Sequence, residues 1–396
     1  MSDRFELGVN YWPIRRAMSM WKELDLGEVR EEMAHIADLG FDVVRFFALT
    51  EDFLPAPLVV PAARIADLVA VAAAARDAGL RSIPTLVVIN MSGTFWWPAW
   101  LDPDRGGPDL YSDPLALRSQ AALAGAVAAA LAGDDSVRAF DLTNEIDDAW
   151  RPATRHHGWL WCALLAGEVR RAAPGVPVQF GAHMPSLAAE NHMRIDDLAR
   201  VVDEDCMHPY PLYSAAARSP LDPELAPFCC ALTADLAAAA SAGPRPILCH
   251  EFGLCTAAPG SPGTTITDDF LGAPMKQYLA SEEEGAAYYQ AVLERLIEIG
   301  CAGAYAWCYG DYHLSIHQRR PLATAIRERS FGLVRADRSE KPAAAVWRRL
   351  SRERPLRRPA ARGAALDVPA DDYYADPATH FHRLYRRWLA RRGEAA

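Results

Sequence analysis

Two acidic residues that follow short apolar runs are the first candidates for chemistry in this chain. The run VRAFDL (137–142) has strand composition and is followed by Asn144 and Glu145, and the run PILCHEFG (246–253) contains Glu251 near its end. A pair of carboxyl groups can divide the work of proton donor and nucleophile, provided that both reach the same reacting bond. The elements that carry the two glutamates must therefore bring them together.

Short apolar segments alternate with helical segments along most of the chain. We predict strands at 5–12, 41–49, 81–90, 137–142, 176–183, 201–211, 245–253 and 302–309. Eight strands in alternation with helices predict an α/β fold, a (β/α)8 TIM barrel with long βα loops, over residues 1–351. A doubly wound open sheet would need fewer strands and a glycine-rich phosphate turn after the first strand, and GVNYWP (8–13) is not such a turn.

The last part of the chain, residues 352–396, differs in composition from the rest. A basic, proline-rich stretch at 352–365 comes before an amphipathic segment at 371–392. We predict a C-terminal helical extension that packs on the outside of the barrel. The alternative is that this helix forms the contact between subunits of a homo-oligomer.

Composition excludes several classes of partner. The chain of 396 residues has a formal net charge of −10, which argues against nucleic acid. No stretch reaches the roughly 18 apolar residues that a membrane helix needs, and the N-terminus lacks the pattern of a signal peptide. The eight cysteines show no CxxC and no regular framework, so we expect reduced, buried thiols and a cytoplasmic protein.

In a TIM barrel the carboxyl ends of the strands form one face, and that face carries the active site. Polar and aromatic residues collect at these ends, although the strands are otherwise apolar. The candidates at the strand ends are Tyr11, Trp12, Arg45, Asn90, Asn144, Glu145, His183, His208, Tyr210, Glu251 and Trp307.

The loop after the third strand adds a group of tryptophans. Trp96 and Trp97 lie in the segment 91–113, which is too long to be a simple connection. Aromatic rings stack on the C–H faces of sugars, so an exposed group of this kind fits a carbohydrate platform. The alternative is a loop packed on its own apolar side chains. Glu51, together with Asn90 and His183, could supply polar contacts to hydroxyl groups.

The sequence also argues against other chemistries. It contains no HExxH, no HxH on the first strand and no Cys/His cluster, so we expect no metal site. A dinucleotide fingerprint, a phosphate loop and a Gly-x-Ser-x-Gly motif are missing as well, so no cofactor is expected.

The set of strand-end residues resembles that of the clan A glycoside hydrolases, most closely family 5, the cellulase and mannanase group. The resemblance covers about residues 5–350. It rests on Arg45, Asn144-Glu145, His208-Pro209-Tyr210, Glu251 and Trp307, in that order on successive strands. GVNYWP and GFDVVRFF are also similar to a bacterial branch of that group, the mannosidases and mannanases.

The resemblance implies retention of anomeric configuration, with Glu145 as general acid/base and Glu251 as nucleophile. Retaining enzymes hold their two carboxyl groups about 5–5.5 Å apart, which residues on the fourth and seventh strands can reach across the barrel mouth. The resemblance also implies that Arg45 and Tyr210 keep Glu251 ionised. It implies further that Asn144 binds the sugar 2-hydroxyl and that Trp307 lies under the sugar ring. His208 would orient Glu145.

These expectations together describe a retaining β-glycosidase that cleaves short β-mannosides or β-mannose-containing oligosaccharides. The loops 91–113, 254–280 and 310–330 could wall off one end of the cleft and make the enzyme exo-acting. An endo-β-1,4-mannanase or β-glucanase with an open cleft is the alternative within the class. A non-catalytic carbohydrate-binding barrel is the alternative of another class.

Overall fold

The computed structural model describes residues 3–240, 245–270, 272–359 and 365–393. Within these ranges, eight parallel strands form a closed barrel in chain order, with the last strand paired to the first. The barrel predicted from the sequence is thereby confirmed. The strands are β1 (Glu6–Asn10), β2 (Val43–Leu49), β3 (Arg81–Val88), β4 (Phe140–Asn144), β5 (Val178–His183), β6 (Glu204–His208), β7 (Ile247–Phe252) and β8 (Gly303–Ala306).

Helices cover the outside of the barrel. The long ones are α1 (Leu26–Asp38), α2 (Ala62–Asp77), α3 (Pro114–Ala130), α4 (Arg155–Ala172), α5 (Leu225–Ala238), α6 (Glu282–Glu298), α7 (Pro342–Glu353) and α8 (Pro377–Arg391). Short α-helical turns lie at Thr50–Phe53, Ile146–Ala149, Pro185–Ala188, Ile195–Leu198 and Ala370–Ala375. Short 3-10 turns lie at Ala17–Ser19, Pro103–Arg105, Pro211–Tyr213, Leu314–Ile316 and Ile326–Ser330.

The strands are buried on both faces because helices cover them outside and side chains fill them inside. Toward the amino-terminal end, a charged network fills the barrel: Arg138 donates to Glu6 at 2.9 Å and to Glu204 at 2.8 Å. The hydroxyl of Tyr305 donates to Glu6 at 2.5 Å. Each of these charges has a partner, so the barrel interior can hold them at this end without an uncompensated buried charge.

The segment 254–280 was predicted to be an irregular loop, and this was wrong for most of it. Thr264–Phe270 and Ala273–Leu279 pair as antiparallel strands of a hairpin that projects from the barrel after β7. The four consecutive β-branched residues of TTIT (264–267) favour this structure, but the glycines and prolines just before them hide the pattern.

The C-terminal helix α8 packs on α5 of the same chain. The ring of Phe228 contacts the rings of Phe381, Tyr385 and Trp388, with centroids 5.0–6.0 Å apart. The indole of Trp388 also donates to Glu224 at 2.9 Å. Part of the basic stretch, residues 360–364, lies outside the described residues. A subunit contact through this extension stays a prediction.

All eight cysteines are buried and carry free thiols, as expected from the sequence. Within the described ranges, none of the helices combines the length and the apolar character that crossing a lipid bilayer requires.

Candidate active site

The two glutamates meet at the carboxyl end of the barrel. At least one carboxylate oxygen of each lies within 4.8 Å of the other and of a ring nitrogen of His208. Glu145 follows β4 directly and has a left-handed backbone, with φ of +47° and ψ of 39°. This conformation costs a glutamate on the order of 1 kcal/mol or more, and such strain is concentrated at functional sites.

Arg45 lies in the fully buried layer beneath the two glutamates. Its Nη1 donates to Glu251 at 2.5 Å, and its Nε and Nη2 donate to Asp141 at 3.0 and 2.7 Å. From the other side, the hydroxyl of Tyr210 donates to Glu251 at 3.0 Å. The carboxylate of Glu251 is therefore held by a guanidinium and a phenol, both of which favour its ionised form.

The two carboxyl groups differ in their electrostatic environment. Burial raises the pKa of both, and the pKa of Glu145 stands well above its usual range. For Glu251 the charge and the hydrogen bonds of Arg45 and Tyr210 oppose the rise. Glu145 has no arginine partner in the described structure, and the negative charge of Glu251 raises its pKa further. A single proton shared by the pair therefore resides on Glu145.

Two histidines flank Glu145 and carry different charges. Burial and the nearby charge of Arg45 lower the pKa of His208 well below its usual value, so this ring is neutral. Its Nδ1 lies 3.0 Å from Glu145 and 3.6 Å from Glu251. Burial alone would lower the pKa of His183 too, but the carboxylates of Glu145, Asp148 and Asp147 raise it to about 10. These acidic neighbours therefore favour the cationic form of His183 beside Glu145.

Two asparagines complete the floor of the site. Asn144 accepts from Arg45 Nη2 at 2.8 Å and donates to the backbone carbonyl of Asn90 at 3.1 Å. The amide of Asn90 donates to Glu145 at 3.4 Å. These contacts fix the amide orientations before any substrate enters.

These groups line a cavity with about 480 Å³ of space between its walls, counting the part open to solvent. Seven of the predicted site residues line it: Asn90, Asn144, Glu145, His183, Tyr210, Glu251 and Trp307. Arg45 and His208 lie directly beneath the lining and contact the carboxylates. The cavity thus brings together nine of the fourteen residues predicted from the sequence.

Two aromatic residues after β1 point away from the cavity. Tyr11 is buried, and its hydroxyl donates to Glu32 at 2.9 Å. Trp12 is buried against Phe47, with ring centroids 5.5 Å apart, and its indole nitrogen lies 3.3 Å from the sulfur of Met91. Both rings support the barrel mouth from outside the cavity lining, so direct substrate contact has no support there.

Glu51, Trp96 and Trp97 also lie outside the cavity lining. Glu51 forms an ion pair with Arg320 at 3.3 Å, and the same guanidinium lies 4.3 Å from the ring of Trp96, which is buried. Trp97 packs edge-to-face on Trp150 at 6.3 Å and lines a separate depression. Their nearness to strand ends suggested contacts with substrate, but in the structure these side chains contact other residues of the protein.

Sequence reasoning missed the wall of the cavity. Most of its residues come from the long loops after β3, β6, β7 and β8. The lengths of the segments 91–113, 254–280 and 310–330 were the only signal for it in the sequence. The lining residues that were missed are Met91, Ser92, Gly93, Tyr213, Phe270, Arg327, Glu328 and Phe331, and Asp148 after β4 lines the cavity as well.

The loops after β3, β7 and β8 are joined to each other. Arg320 covers Trp96 and donates to the carbonyl of Phe95. Asp268 in the 264–279 hairpin accepts from the backbone nitrogens of Ile326 and Arg327 at 2.6 and 3.1 Å. The loops after β7, β8 and β3 therefore form a bridge across one side of the mouth, and the opposite side, with His183, is not part of this bridge.

Glu145, His208 and Glu251 are also a set of groups that can ligate metals. The guanidinium of Arg45 already neutralises Glu251 at 2.5 Å and would repel a second cation there. We therefore interpret the set as two carboxyl groups and a histidine that contact each other and Arg45, and not as a metal site.

The sequence matches no protein-family model and no curated protein. Solved structures share the fold. A GH5_18 variant from Streptomyces cattleya in complex with Manβ1-4GlcNAc is 23% identical, with a TM-score of 0.80 over 98% of this chain and 92% of that one. An exo-β-1,4-mannosidase from Opitutaceae bacterium strain TAV5 is 26% identical, with a TM-score of 0.72 over 88% of this chain and 59% of that one.

A more distant likeness is to the endo-β-1,4-mannanase from Thermotoga petrophila, which is 15% identical, with a TM-score of 0.64 over 89% of this chain and 77% of that one. All of these structures carry the barrel described above. The resemblance to family 5-like glycoside hydrolases of the mannosidase branch, inferred from the residues at the strand ends, is therefore confirmed in the fold.

Proposed function

We propose that this protein is a retaining β-glycosidase that hydrolyses short β-mannosides or β-mannose-containing oligosaccharides from one end. One observation carries the proposal. A carboxylate oxygen of the half-buried Glu145 and one of the buried Glu251 lie within 4.8 Å of each other, and of the two only Glu251 is held by an arginine among the described residues. Inverting enzymes leave about 6.5–9.5 Å between the carboxyl groups for a water molecule, whereas retaining enzymes keep them close.

In the first step, the carboxylate of Glu251 attacks the anomeric carbon while Glu145 gives its proton to the glycosidic oxygen. The bond from the anomeric carbon to that oxygen breaks, the alcohol leaves, and the sugar becomes an ester of Glu251. The cation His183 favours the ionised product form of Glu145, so proton donation is easier than burial alone would allow.

In the second step, the ionised Glu145 takes a proton from water, and the resulting hydroxide attacks the same carbon. The ester bond breaks, and Glu251 leaves as the carboxylate that Arg45 and Tyr210 stabilise. Two inversions give net retention. Asn144 is placed to bind the 2-hydroxyl, and Trp307 lies in the cavity wall where the ring would rest.

Three observations support the choice of substrate and mode. The structures that share the fold include a GH5_18 variant in complex with Manβ1-4GlcNAc and an exo-β-1,4-mannosidase. The bridged loops close one side of the mouth, which suits removal of a terminal sugar. The buried free thiols suit a reducing compartment, so a cytoplasmic location and a small imported sugar are part of the proposal.

An endo-β-1,4-mannanase is the second candidate, since one of the structures with this fold carries that activity. Such an enzyme needs an open cleft on both sides of the cleaved bond, and the joined loops argue against it. A non-catalytic carbohydrate-binding barrel would have no use for the different environments of Glu145 and Glu251.

Substitution of the two glutamates tests the reaction. Glu145→Ala and Glu251→Ala should each lower kcat/KM for an aryl β-mannoside by roughly 10²- to 10⁴-fold or more. Azide should restore turnover of Glu251→Ala, because it replaces the missing nucleophile and, by a single displacement, gives the inverted α-glycosyl azide, which NMR identifies. Glu283→Gln, at an exposed glutamate of α6, is the matched control. Full activity in either alanine variant would refute the assignment.

The sugar and the mode need a substrate panel. Aryl β-mannoside, β-glucoside and β-galactoside should be compared with mannobiose, Manβ1-4GlcNAc and β-mannan. We expect the mannosides to be cleaved and monosaccharide to be the first product. Rapid loss of viscosity of mannan would favour the endo-acting alternative.

A further inference from the structure

Arg327 is a buried arginine in the cavity wall, and only some of the hydrogen-bond donors of its guanidinium have partners. Its side chain is fully buried. Nη1 donates to Asp268 at 2.8 Å and to the carbonyl of Asp269 at 2.5 Å, and Nε donates to the hydroxyl of Tyr213 at 3.1 Å. Among the residues that the structure describes, Nη2 has no hydrogen-bond partner.

A buried charged donor without an acceptor is costly, and native proteins rarely keep one unless a ligand supplies the acceptor. Arg327 lines the same cavity as Glu145 and Glu251. Nη2 occupies the space beside Gly93, where a Cβ atom would overlap it, and Gly93 has a φ of +69°. The absence of a side chain at this position is what leaves room for Nη2.

A carboxylate stands next to this donor. Glu328 is buried, lines the cavity and lies 3.4 Å from Nε of Arg327. The wall therefore presents a charged donor and a charged acceptor side by side. Neighbouring hydroxyl groups match this pair, because one hydroxyl can accept from the guanidinium while the other donates to the carboxylate. A charged substituent would be repelled by one member of the pair.

The position of the pair indicates which sugar it faces. The leaving alcohol must lie on the Glu145 side, since Glu145 is placed to protonate the glycosidic oxygen. Arg327 and Glu328 belong to the bridged side above β8 and β3, where Arg327 contacts the hairpin and Glu328 interacts electrostatically with Glu251. The sugar that becomes attached to Glu251 is thus the one beside this wall.

We propose that Nη2 of Arg327, together with Glu328, binds hydroxyl groups of the terminal sugar and restricts the enzyme to sugars that are unsubstituted at those positions. The inference rests on the proposed function and names the specificity-determining pair of the same site. Substrates extended or acylated at these hydroxyls would meet the closed wall and a charge without a partner.

Deoxygenated substrates test the contact directly. We expect one of the 3-, 4- or 6-deoxy aryl β-mannosides to lose on the order of 10- to 100-fold in kcat/KM with the unaltered enzyme, the usual range for a hydrogen bond to a charged group. Arg327→Lys should lose a similar factor on the parent mannoside, and almost nothing further on that deoxy compound. This non-additivity is the signature of a direct contact.

Two variants separate contact from scaffolding. Asp268→Asn weakens the contacts between the 264–279 hairpin and the loop that carries Arg327, and it alters no cavity-lining side chain. It should therefore preserve the loss of kcat/KM on the deoxy compound. Gly93→Ala displaces Nη2 and should remove that penalty. The inference is overturned if Arg327→Lys and Asp268→Asn lower the rates for all substrates by the same factor.

Binding to Glu251→Gln keeps this test independent of hydrolysis. Calorimetry with mannose and its deoxy forms should show weaker binding of one deoxy form, and Arg327→Lys in the same background should remove the difference. If binding shows this dependence and no glycoside is cleaved, the contact stands and the proposed reaction fails. Cleavage without any dependence on Arg327, or sugar binding insensitive to every deoxygenation, refutes the contact.

Discussion

The charge of His183 gives the site a pH dependence that can be tested at a single residue. Its positive charge lowers the pKa of both Glu145 and Glu251. With His183→Asn, both carboxyl groups should therefore titrate at higher pH. The acid limb of the kcat/KM profile requires ionised Glu251 and the alkaline limb requires protonated Glu145, so both limbs should move upward.

The pH–rate profile with an aryl β-mannoside checks this expectation. His382→Asn, at an exposed position of α8, is the control and should leave the profile in place. An unmoved profile in His183→Asn would show that its charge does not reach the two carboxyl groups.

At the same scale, the sequence predicted the pair of carboxyl groups that the cavity brings together, but not the residues of its wall. Glu145 and Glu251 are identified by local information, an acid at the end of an apolar run. Arg327 and Gly93 are far apart in the chain, and only tertiary contacts bring them together. Trp12 shows the converse: an aromatic residue after a strand can face the core as well as the mouth, and local sequence does not distinguish the two.

At the scale of elements, the start of α6 offers a measurement of local stability. The hydroxyl of Ser281 accepts from the backbone of Glu284 at 3.1 Å, and the Glu284 carboxylate accepts from the backbone of Ser281 at 2.7 Å. Ser281→Ala removes one of these bonds and should lower the free energy of unfolding by about 1 kcal/mol.

Urea denaturation measures this loss, and kcat should be unchanged because α6 lies on the outside of the barrel. Ser261→Ala, in the loop before the hairpin, is the control and should cost less than about 0.5 kcal/mol. An equal cost for both serines would contradict a capping role.

The regular elements were the predictable part of the fold. A parallel strand covered on both faces is a continuous apolar run, and a helix has its own period, so the alternation of the two is visible in sequence. The 264–279 hairpin was missed because its strands lack an apolar run: TTITDD is polar at five of six positions. Its orientation depends on Asp268, which binds a loop much later in the chain.

At the scale of the whole molecule, α8 is an integral part of the outer layer. Trp388 is buried between Phe228 and the end of α8, with its indole nitrogen bonded to Glu224. Trp388→Ala should lower the free energy of unfolding by roughly 3–5 kcal/mol, because it leaves a large cavity. It also removes one hydrogen bond from the carboxylate of Glu224, which keeps its ion pairs with Arg295 and Arg392. The fraction of the Trp388→Ala variant that stays folded should have an unchanged kcat.

Chemical denaturation followed by fluorescence checks this loss. Arg386→Ala, at an exposed position of the same helix, should change the stability by no more than about 0.5 kcal/mol. A small effect of Trp388→Ala would place the helix loosely on the surface and favour a role between subunits.

The joined loops after β3, β7 and β8 also determine by which path small molecules enter and leave the site. A sugar esterified to Glu251 has the wall behind it, so the departing alcohol and the incoming water must use the same passage beside His183. Any other alcohol that enters by this passage competes with water for the ester. At high concentrations of a sugar acceptor, the protein that we describe as a hydrolase should therefore also synthesise glycosides.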